Sequence, residues 1–407
     1  MKPYSIIYCI DIYSGKSGNG ASNALRGLIL KNPCLGNYKL FCKTYVEGDL
    51  KDIVPTIETG KNVVDEFVRG SYQCIHWFRA NGLELYAEII QEIRIRKLKI
   101  PIISTICQQP TASGLFLTPI EVKYPSRIIF IDNTAYNNKY FRFIPELRRK
   151  MIRFGGWTIE GIKIYDEILN NEVLTNKKDE RIVYGRGGTL NKCPHNMFEI
   201  FDKIAPPKKF VIVGSGPLKK WIQEEISKRK DYEIVLLDAM PRQAWLEIVS
   251  SFDIFLYHLP MDAYSSTDGT MMHAMWMRKP IVYYGPDAPK EFLKDGYNSK
   301  IALTEVDLVK CCNELATNKE ERIRLGENAR KTVNSFQSYE QFLDKMNQQY
   351  EDVTPLPPLR LSVNYLSAYA WYMYKQDKSW LLRMMKAPID LLRVKMAIGT
   401  RCKKVFS

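Results

Sequence analysis

Short apolar runs alternate with amphipathic stretches over the first 165 residues of the chain. Five runs rich in Ile, Tyr and Phe have the length and composition of strands. They are "SIIYCIDI" (5–12), "YKLFCKTYV" (38–46), "YQCIHWF" (72–78), "IPIISTIC" (100–107) and "SRIIFID" (126–132). The stretch "LELYAEIIQEIRIRKLK" (83–99) has apolar residues three and four positions apart, as on one face of a helix. The alternation predicts a parallel, doubly wound sheet.

A polar segment interrupts this alternation, which then starts again. Residues 170–180 predict a linker, and five further apolar runs follow it. These are "RIVYG", "KKFVIVGSGP", "YEIVLLD", "FDIFLYHL" and "KPIVYYG". We therefore expect an α/β fold of two Rossmann-like, doubly wound domains, 1–169 and 181–335, that face a cleft. A crossover helix over 336–354 and a helical, basic C-terminal extension over 355–407 complete the prediction.

The composition is that of an ordinary globular protein with two domains. A chain of 407 residues with 45% hydrophobic and 26% charged residues is long enough for two ordinary domains. Its nine cysteines form no Cys-x-x-Cys pair, which favours reduced thiols in the cytoplasm. The four histidines are far apart in sequence, so we expect no metal site and no cofactor. The sequence shows neither a signal peptide nor an apolar run long enough to span a membrane.

The net charge of +14 is concentrated in the C-terminal tail. Residues 355–407 have a net charge of +8, and the preceding 354 residues have +6. Aromatic residues such as Trp371 and Trp380 alternate with these cations, a composition that suits an anionic membrane surface. We expect a peripheral protein on the inner face of the cytoplasmic membrane, with packing of the tail on the first domain as the alternative. We expect no nucleic-acid partner, because no recognition motif is present.

Four glycine-bearing turns follow predicted strands. They are "YSGKSGNGAS" (13–22), "GRGGTLNK" (185–192), "GSGP" (214–217) and "STDGTMM" (266–272). The first turn has the spacing of neither a Walker P-loop nor a dinucleotide fingerprint. It leaves Gly18 and Gly20 as positions where the backbone can approach a ligand closely.

The second turn has two cations. In "RIVYGRGGTLNKCPHNMFEIF" (181–201) we expect the strand to end at Gly185 and a helix to begin near Met197. Backbone N–H groups and the helix dipole then face an anion in the loop, beside Arg186 and Lys192. The alternative is a simple bend between strand and helix with two surface cations.

From residue 181 to about residue 350 the order of motifs resembles the donor half of group 1 (family 4) glycosyltransferases, which have the two-domain GT-B fold. The similarity rests on "YGRGGTLNK", "FVIVGSGPLKKWI", "SSFDIFLYHLPMD", "TMMHAMWMRKPIVYYG", "FLKDGYNSKIAL" and "LGENARKTVNSFQSYEQFLDKMNQQY". Over residues 1–165 it is looser. In that family an Arg after a strand glycine and a Lys six positions later bind the donor's pyrophosphate, and Arg186 and Lys192 match both type and spacing.

The resemblance implies a function as well as a fold. It implies an acceptor-side first domain and a second domain that binds a nucleotide-diphosphate sugar, with Gly214 and Gly216 among the donor-binding residues. The reaction would be a metal-independent, retaining sugar transfer of the hexosyltransferase type. Its acceptor would be a saccharide or a lipid-linked saccharide in cell-surface polysaccharide or lipopolysaccharide synthesis. A nucleotide-sugar epimerase on the same fold and a non-catalytic sugar-nucleotide-binding protein are the alternatives.

The chain departs from the family where members have two glutamates eight positions apart. In the family the second glutamate binds the ribose hydroxyls and the first lies near the transferred sugar. Here His273 takes the second place and Ser265 the first; a loop three residues shorter would put Asp268 there instead. Asp268 and His273 are therefore the candidate catalytic residues. Three further donor-binding candidates offer N–H groups at a helix start: Gly269, Thr270 and Met271.

The acceptor side departs too. After the fourth predicted strand many relatives have a histidine, whereas this chain has Gln108 and Gln109. An amide binds sugar hydroxyls but is no general base. A front-face mechanism, in which the leaving phosphate accepts the acceptor's proton, needs no such base. We expect His76 and His258, at strand ends, to be satisfied core or rim histidines.

Overall fold

The computed structural model describes most of the first 361 residues, and these belong to two compact units. The described residues are 3–14, 20–46, 53, 55–79, 83–106, 118–131, 145–154, 166–169, 181–261, 263, 269–286, 288–336 and 338–361. The first unit comprises Met1–Gln108, Gly114–Gly155 and Leu343–Ser407, and the second comprises Gln109–Ser113 and Gly156–Phe342. The predicted linker and most of the basic tail lie outside the described residues.

The first unit is built on a seven-stranded parallel sheet. Its strands are β1 (Tyr4–Ser14), β2 (Leu35–Val46), β3 (Thr56–Ile57), β4 (Cys74–Arg79), β5 (Ile102–Ile106), β6 (Arg127–Phe130) and β7 (Met151–Arg153), in the order β3-β2-β1-β4-β5-β6-β7. Its helices are α1 (Gly20–Lys31), α2 (Gly60–Arg69), α3 (Glu84–Ile95), α4 (Pro119–Lys123) and the 3-10 helix Pro145–Arg149. All five strands predicted from apolar runs are present and parallel.

The second unit is built on a six-stranded parallel sheet. Its strands are β8 (Ile182–Gly187), β9 (Lys208–Val213), β10 (Glu233–Leu237), β11 (Ile254–His258), β12 (Ile281–Tyr284) and β13 (Ser299–Ile301), in the order β10-β9-β8-β11-β12-β13. Its helices are α5 (Met197–Lys203), α6 (Lys219–Ser227), α7 (Arg242–Ser250), α8 (Gly269–Trp276), α9 (Glu305–Thr317), α10 (Lys319–Asn334) and the start of α11 (Tyr339–Glu351), with 3-10 helices Leu190–Lys192 and Ala288–Glu291.

A buried carboxylate fixes the start of α3 in the first unit. Asp11, on β1, accepts hydrogen bonds from the backbone N–H groups of Glu84 and Leu85, both at 2.8 Å. A carboxylate at this place satisfies two N–H groups that have no partner within the helix and interacts favourably with the helix dipole. Burial raises the pKa of Asp11, while these two N–H groups lower it. The apolar face of α3 then packs on the sheet through Leu85, Ile89 and Ile93.

Polar contacts join the carboxyl-terminal half of α11 to the end of α1 and to the same sheet. The side chain of Asn347 exchanges two hydrogen bonds with that of Asn32, at 2.6 and 3.1 Å. His76, fully buried on β4, has its Nδ1 atom 2.8 Å from the Tyr350 hydroxyl and its Nε2 atom 2.7 Å from the Thr105 hydroxyl. Burial lowers the pKa of His76 to about 3, so it is neutral near pH 7. The prediction of a satisfied core histidine is confirmed.

The buried neutral His76 predicts an acid-sensitive fold. Its pKa is about 3 in the folded chain, so the unfolded state binds more protons below the ordinary histidine pKa of about 6.5. The contribution of His76 to the free energy of unfolding is fully present above about pH 6.5. It falls by up to about 1.4 kcal/mol per pH unit as the pH decreases towards the pKa of His76 in the folded chain. We expect His76→Gln to make the free energy of unfolding depend less steeply on pH between about pH 7 and about pH 5.

Urea unfolding followed by circular dichroism measures this dependence. His195→Gln is the matched control, because it makes the same substitution at an exposed histidine. Equal slopes for wild type and His76→Gln would contradict the prediction.

Candidate functional site

The candidate site lies at the carboxyl edge of the second sheet. β8 is central there, with β9 and β10 on one side and β11 to β13 on the other. The strand order therefore reverses at β8, and in open parallel sheets ligands bind at the carboxyl ends of the strands where such a reversal occurs. The residues at this place are Arg186 and Gly187, followed by Gly188.

The prediction that this strand ends at Gly185 is wrong. β8 continues to Gly187 and stays in register with β9 as far as Val213. Both glycines are explained by packing: a Cβ on Gly185 would lie 2.0 Å from Phe252 Cδ2, and one on Gly187 would lie 2.1 Å from Trp245 Cη2. The sequence pattern could not show this, because the two aromatic rings come from a later part of the chain.

The glycines beyond the strand ends are explained by backbone geometry. Gly188 has φ 117°, a conformation that side chains rarely adopt. A Cβ on Gly214 would lie 2.0 Å from the Gly188 carbonyl oxygen. The Gly188 N–H donates to the Val213 carbonyl at 3.1 Å, and the Leu190 N–H donates to the Ser215 carbonyl at 3.0 Å. The loops after β8 and β9 are thus joined by backbone hydrogen bonds, with Gly188 and Gly214 in close contact.

Arg186 connects three parts of this edge. Alternation along β8 places its side chain on the face opposite that of Gly185 and Gly187. Its guanidinium donates to the His258 carbonyl at the end of β11, and to the Lys192 carbonyl at 2.7 Å. Lys192 ends the 3-10 turn after β8, and its side chain is half-buried. Arg186 therefore fixes the turn that presents Lys192.

The charge of Arg186 has no carboxylate partner within the part of the chain that the structure describes. The residue is only 6% exposed, and its acceptors are two backbone carbonyls. A buried charge without an opposite charge is costly, and a bound anion removes that cost. Neighbouring His258 is 2% exposed, and burial, with the Arg186 charge, lowers its pKa to about 3. A neutral His258 leaves Arg186 as a net positive charge.

His258 is buried, as expected, but it is not satisfied. Among the described residues no group hydrogen-bonds its Nδ1 atom. Its ring lies 5.4 Å from that of Tyr284. The sequence prediction of a buried histidine is therefore confirmed, and the prediction that it is satisfied is wrong for Nδ1.

Helix α8 presents the next group of predicted site residues. Gly269 is its first residue, and the Thr270 hydroxyl donates to the Gly187 carbonyl at 3.3 Å. Met271 is fully buried. His273 is half-buried, and its Nδ1 atom accepts a hydrogen bond from Trp245 Nε1 at 2.9 Å. Sequence reasoning missed Trp245, for which no local signal exists.

The remaining predicted residues are distributed differently. Gly214 and Gly216 directly follow β9, so they share the edge with Arg186. Gly20 is the first residue of α1 in the first unit. Five predicted positions lie outside the described residues: Gly18, Gln108, Gln109, Ser265 and Asp268.

The described residues contain neither a metal-binding cluster nor a membrane-spanning helix. No group of three or more His, Cys, Asp or Glu side chains there is placed to hold a metal ion. No helix of that part is long and apolar enough to cross a membrane.

Several solved structures share this fold, although no protein-family model matches the chain and no curated protein matches its sequence. HepE from Anabaena in complex with UDP matches with a TM-score of 0.62 at 13% identity, over 87% of this chain and 100% of that one. Sucrose-phosphate synthase from Thermosynechococcus elongatus matches with 0.61 at 12% identity, over 85% and 98%. WaaG, a glycosyltransferase involved in lipopolysaccharide biosynthesis, matches with 0.60 at 12% identity, over 85% and 100%. The predicted α/β fold with two Rossmann-like domains is confirmed.

The packing explanation of Gly187 predicts a specific cost. Gly187→Ala would place a methyl group against the Trp245 ring, and overpacking of this kind costs about 1–3 kcal/mol. We expect a corresponding decrease in the free energy of unfolding, measured in urea. Gly269→Ala is the matched control, because nothing lies within 4 Å of its Cβ position and alanine favours a helix. Equal stability of the two variants would show that the explanation is wrong.

Proposed function

We propose that the protein is a glycosyltransferase that moves a sugar, as a hexosyltransferase, from a nucleotide-diphosphate donor to a saccharide or lipid-linked saccharide. The observation on which this rests is Arg186, a buried cation at the carboxyl edge of the second sheet that has no carboxylate partner among the described residues. The resemblance of residues 181–350 to group 1 (family 4) glycosyltransferases supports it. HepE, which has a similar fold, has been crystallised with UDP and with UDP-glucose.

The proposed chemistry follows from the charge at this edge. As the bond between the sugar's C1 and the diphosphate oxygen breaks, the leaving diphosphate gains negative charge. Arg186 and Lys192 stabilise that charge, Arg186 with the donors not used by the two carbonyls. The acceptor oxygen forms the new bond to C1 from the side on which the diphosphate leaves, and its proton passes to the leaving diphosphate. The proposal therefore needs neither a metal nor a protein base, and it retains the configuration at C1.

The other donor-binding residues have subsidiary roles in the proposal. Gly214 and Gly216 let the backbone approach the diphosphate, and the N–H groups at the start of α8, from Gly269 to Met271, face the donor. We assign Asp268 or Ser265 to the transferred sugar and His273 to the ribose. Gly18 and Gly20 are assigned to the donor from the first unit.

The pathway and the location are part of the proposal. We infer synthesis of a cell-surface polysaccharide or lipopolysaccharide at the inner face of the cytoplasmic membrane. The cationic and aromatic tail supports this, because it suits an anionic surface. An epimerase on the same fold would convert its nucleotide sugar without an acceptor, and a non-catalytic binding protein would not convert it at all.

Nucleotide binding tests the diphosphate site. We expect UDP, GDP or ADP to bind, measured by calorimetry, and Arg186→Ala/Lys192→Ala to weaken that binding at least about 100-fold, because two charge-assisted contacts are lost. Lys192→Ala alone should weaken it about tenfold or more, and it keeps the residue 192 carbonyl that accepts from Arg186.

A control variant removes two positive charges, as Arg186→Ala/Lys192→Ala does, but elsewhere in the second unit. Lys228→Ala/Lys310→Ala removes two exposed cations and should leave the affinity unchanged. Equal affinity of all variants, or no binding of any of the three nucleotides by the folded wild type, would overturn the proposed site.

Sedimentation with lipid vesicles tests the role of the tail. Binding to vesicles that contain phosphatidylglycerol should weaken by about two orders of magnitude in Arg393→Gln/Lys395→Gln/Arg401→Gln, at about 1 kcal/mol per cation. Vesicles of phosphatidylcholine alone should bind neither protein appreciably.

A charge-matched variant distinguishes the tail from general electrostatics. Lys228→Gln/Lys310→Gln/Arg324→Gln removes three cations from the described surface of the second unit. If this variant loses vesicle binding to the same extent, the tail is not the membrane-binding segment.

A further inference from the structure

The hydrogen bond between Trp245 and His273 joins α7 to α8 beside the end of β8. Trp245 Nε1 lies 2.9 Å from His273 Nδ1. The indole is 6% exposed and packs over Gly187, where a Cβ would lie 2.1 Å from the ring. Phe252 contacts it in a T-shaped arrangement, with ring centroids 6.1 Å apart. The position of the indole N–H is therefore fixed by packing on two sides.

This contact determines which nitrogen of His273 has the proton. The indole N–H is a donor only, so His273 Nδ1 must accept and must lack a proton. A neutral imidazole protonates one of its two nitrogens, and here that nitrogen is Nε2. Towards a ligand His273 is then a hydrogen-bond donor through Nε2, whereas a carboxylate at the same place only accepts.

Trp245 and α8, which includes His273, both contact Gly187, the residue that follows Arg186. Gly187 directly follows Arg186 on β8, its Cα faces Trp245, and its carbonyl accepts from Thr270 on the first turn of α8. A nucleotide sugar whose diphosphate binds Arg186 thus lies at the end of the strand on which Trp245 packs. Its nearby hydroxyl oxygens are the hydrogen-bond acceptors available to an Nε2–H donor.

We propose that Trp245 is a positioning residue that holds His273 as the Nε2-protonated tautomer, so that His273 donates to a hydroxyl oxygen of the bound nucleotide sugar. The ligand part of this inference rests on the proposed function. The hydroxyl belongs either to the ribose or to the transferred sugar, and the two sources are separable by experiment.

Nitrogen-15 NMR of the histidine rings tests the tautomer without any ligand. The chain has four histidines, and loss of a signal in His273→Gln assigns the resonance. We expect a pyridine-like Nδ1 and a pyrrole-like Nε2 in the wild type, and averaging of the two shifts in Trp245→Phe. Trp221→Phe, which changes a tryptophan of α6 that packs on Phe198, should leave the His273 signals unchanged. A proton on Nδ1, or unchanged signals in Trp245→Phe, would overturn the proposal.

Nucleotide affinity tests the donor role. His273→Gln retains an N–H donor and should bind within about threefold of wild type, whereas His273→Glu, which only accepts, should bind at least about tenfold more weakly. Trp245→Phe should weaken binding about fivefold. A loss seen with the nucleoside diphosphate alone assigns the hydroxyl to the ribose; a loss seen only with the nucleotide sugar assigns it to the transferred sugar. Equal or tighter binding by His273→Glu would overturn the donor role.

The two arms separate this inference from the function on which it rests. If folded wild type binds no nucleotide, the proposed function and the ligand part fail together, while the NMR result still decides the tautomer. If nucleotide binds and the tautomer is absent, the proposed function stands and this inference fails.

Discussion

The hydrogen bonds from the buried Arg186 guanidinium to the carbonyls of His258 and Lys192 determine the arrangement of the second unit's carboxyl edge. They join two neighbouring strands, β8 and β11, to the turn that ends at Lys192. Carbonyl oxygens offer only partial negative charge, so the guanidinium keeps most of its positive potential. A carboxylate in their place would have neutralised the edge. Because Arg186 donates to backbone carbonyls and not to a carboxylate, it can stabilise the fold and still bind an anion.

The alternation of side chains along β8 explains how one strand serves two purposes. Tyr184 and Arg186 lie on the face towards the α5 and α9 side, where Tyr184 packs on Phe210. Gly185 and Gly187 lie on the other face, where their missing side chains make room for Phe252 and Trp245. The cation and the tryptophan that orients His273 are thus placed by the same period of two. A shift of one residue in the pairing of β8 with β9 would exchange the two faces and remove both features.

Buried polar groups in the first unit have a different role. Asp11 and His76 each have two hydrogen-bond partners, and these come from α3, α11 and β5. These hydrogen bonds offset part of the desolvation of each group and fix where a helix or strand packs. His258 of the second unit has the same burial without a partner for Nδ1 among the described residues. The contrast separates polar groups that build the fold from those that lie beside the candidate site.

The sequence by itself determined the alternation of strands and helices, and hence two parallel sheets, because hydrophobic periodicity is a local property. It also indicated Arg186 and Lys192, since a strand, a glycine turn and two spaced cations are close together in the chain. Only the tertiary structure decided why Gly185 and Gly187 are glycines, that β8 extends beyond the first of them, and that His273 accepts from Trp245. The partners in these contacts are 26 or more residues apart in the chain. No local pattern specifies such a pair, because its geometry depends on how the intervening strands and helices pack.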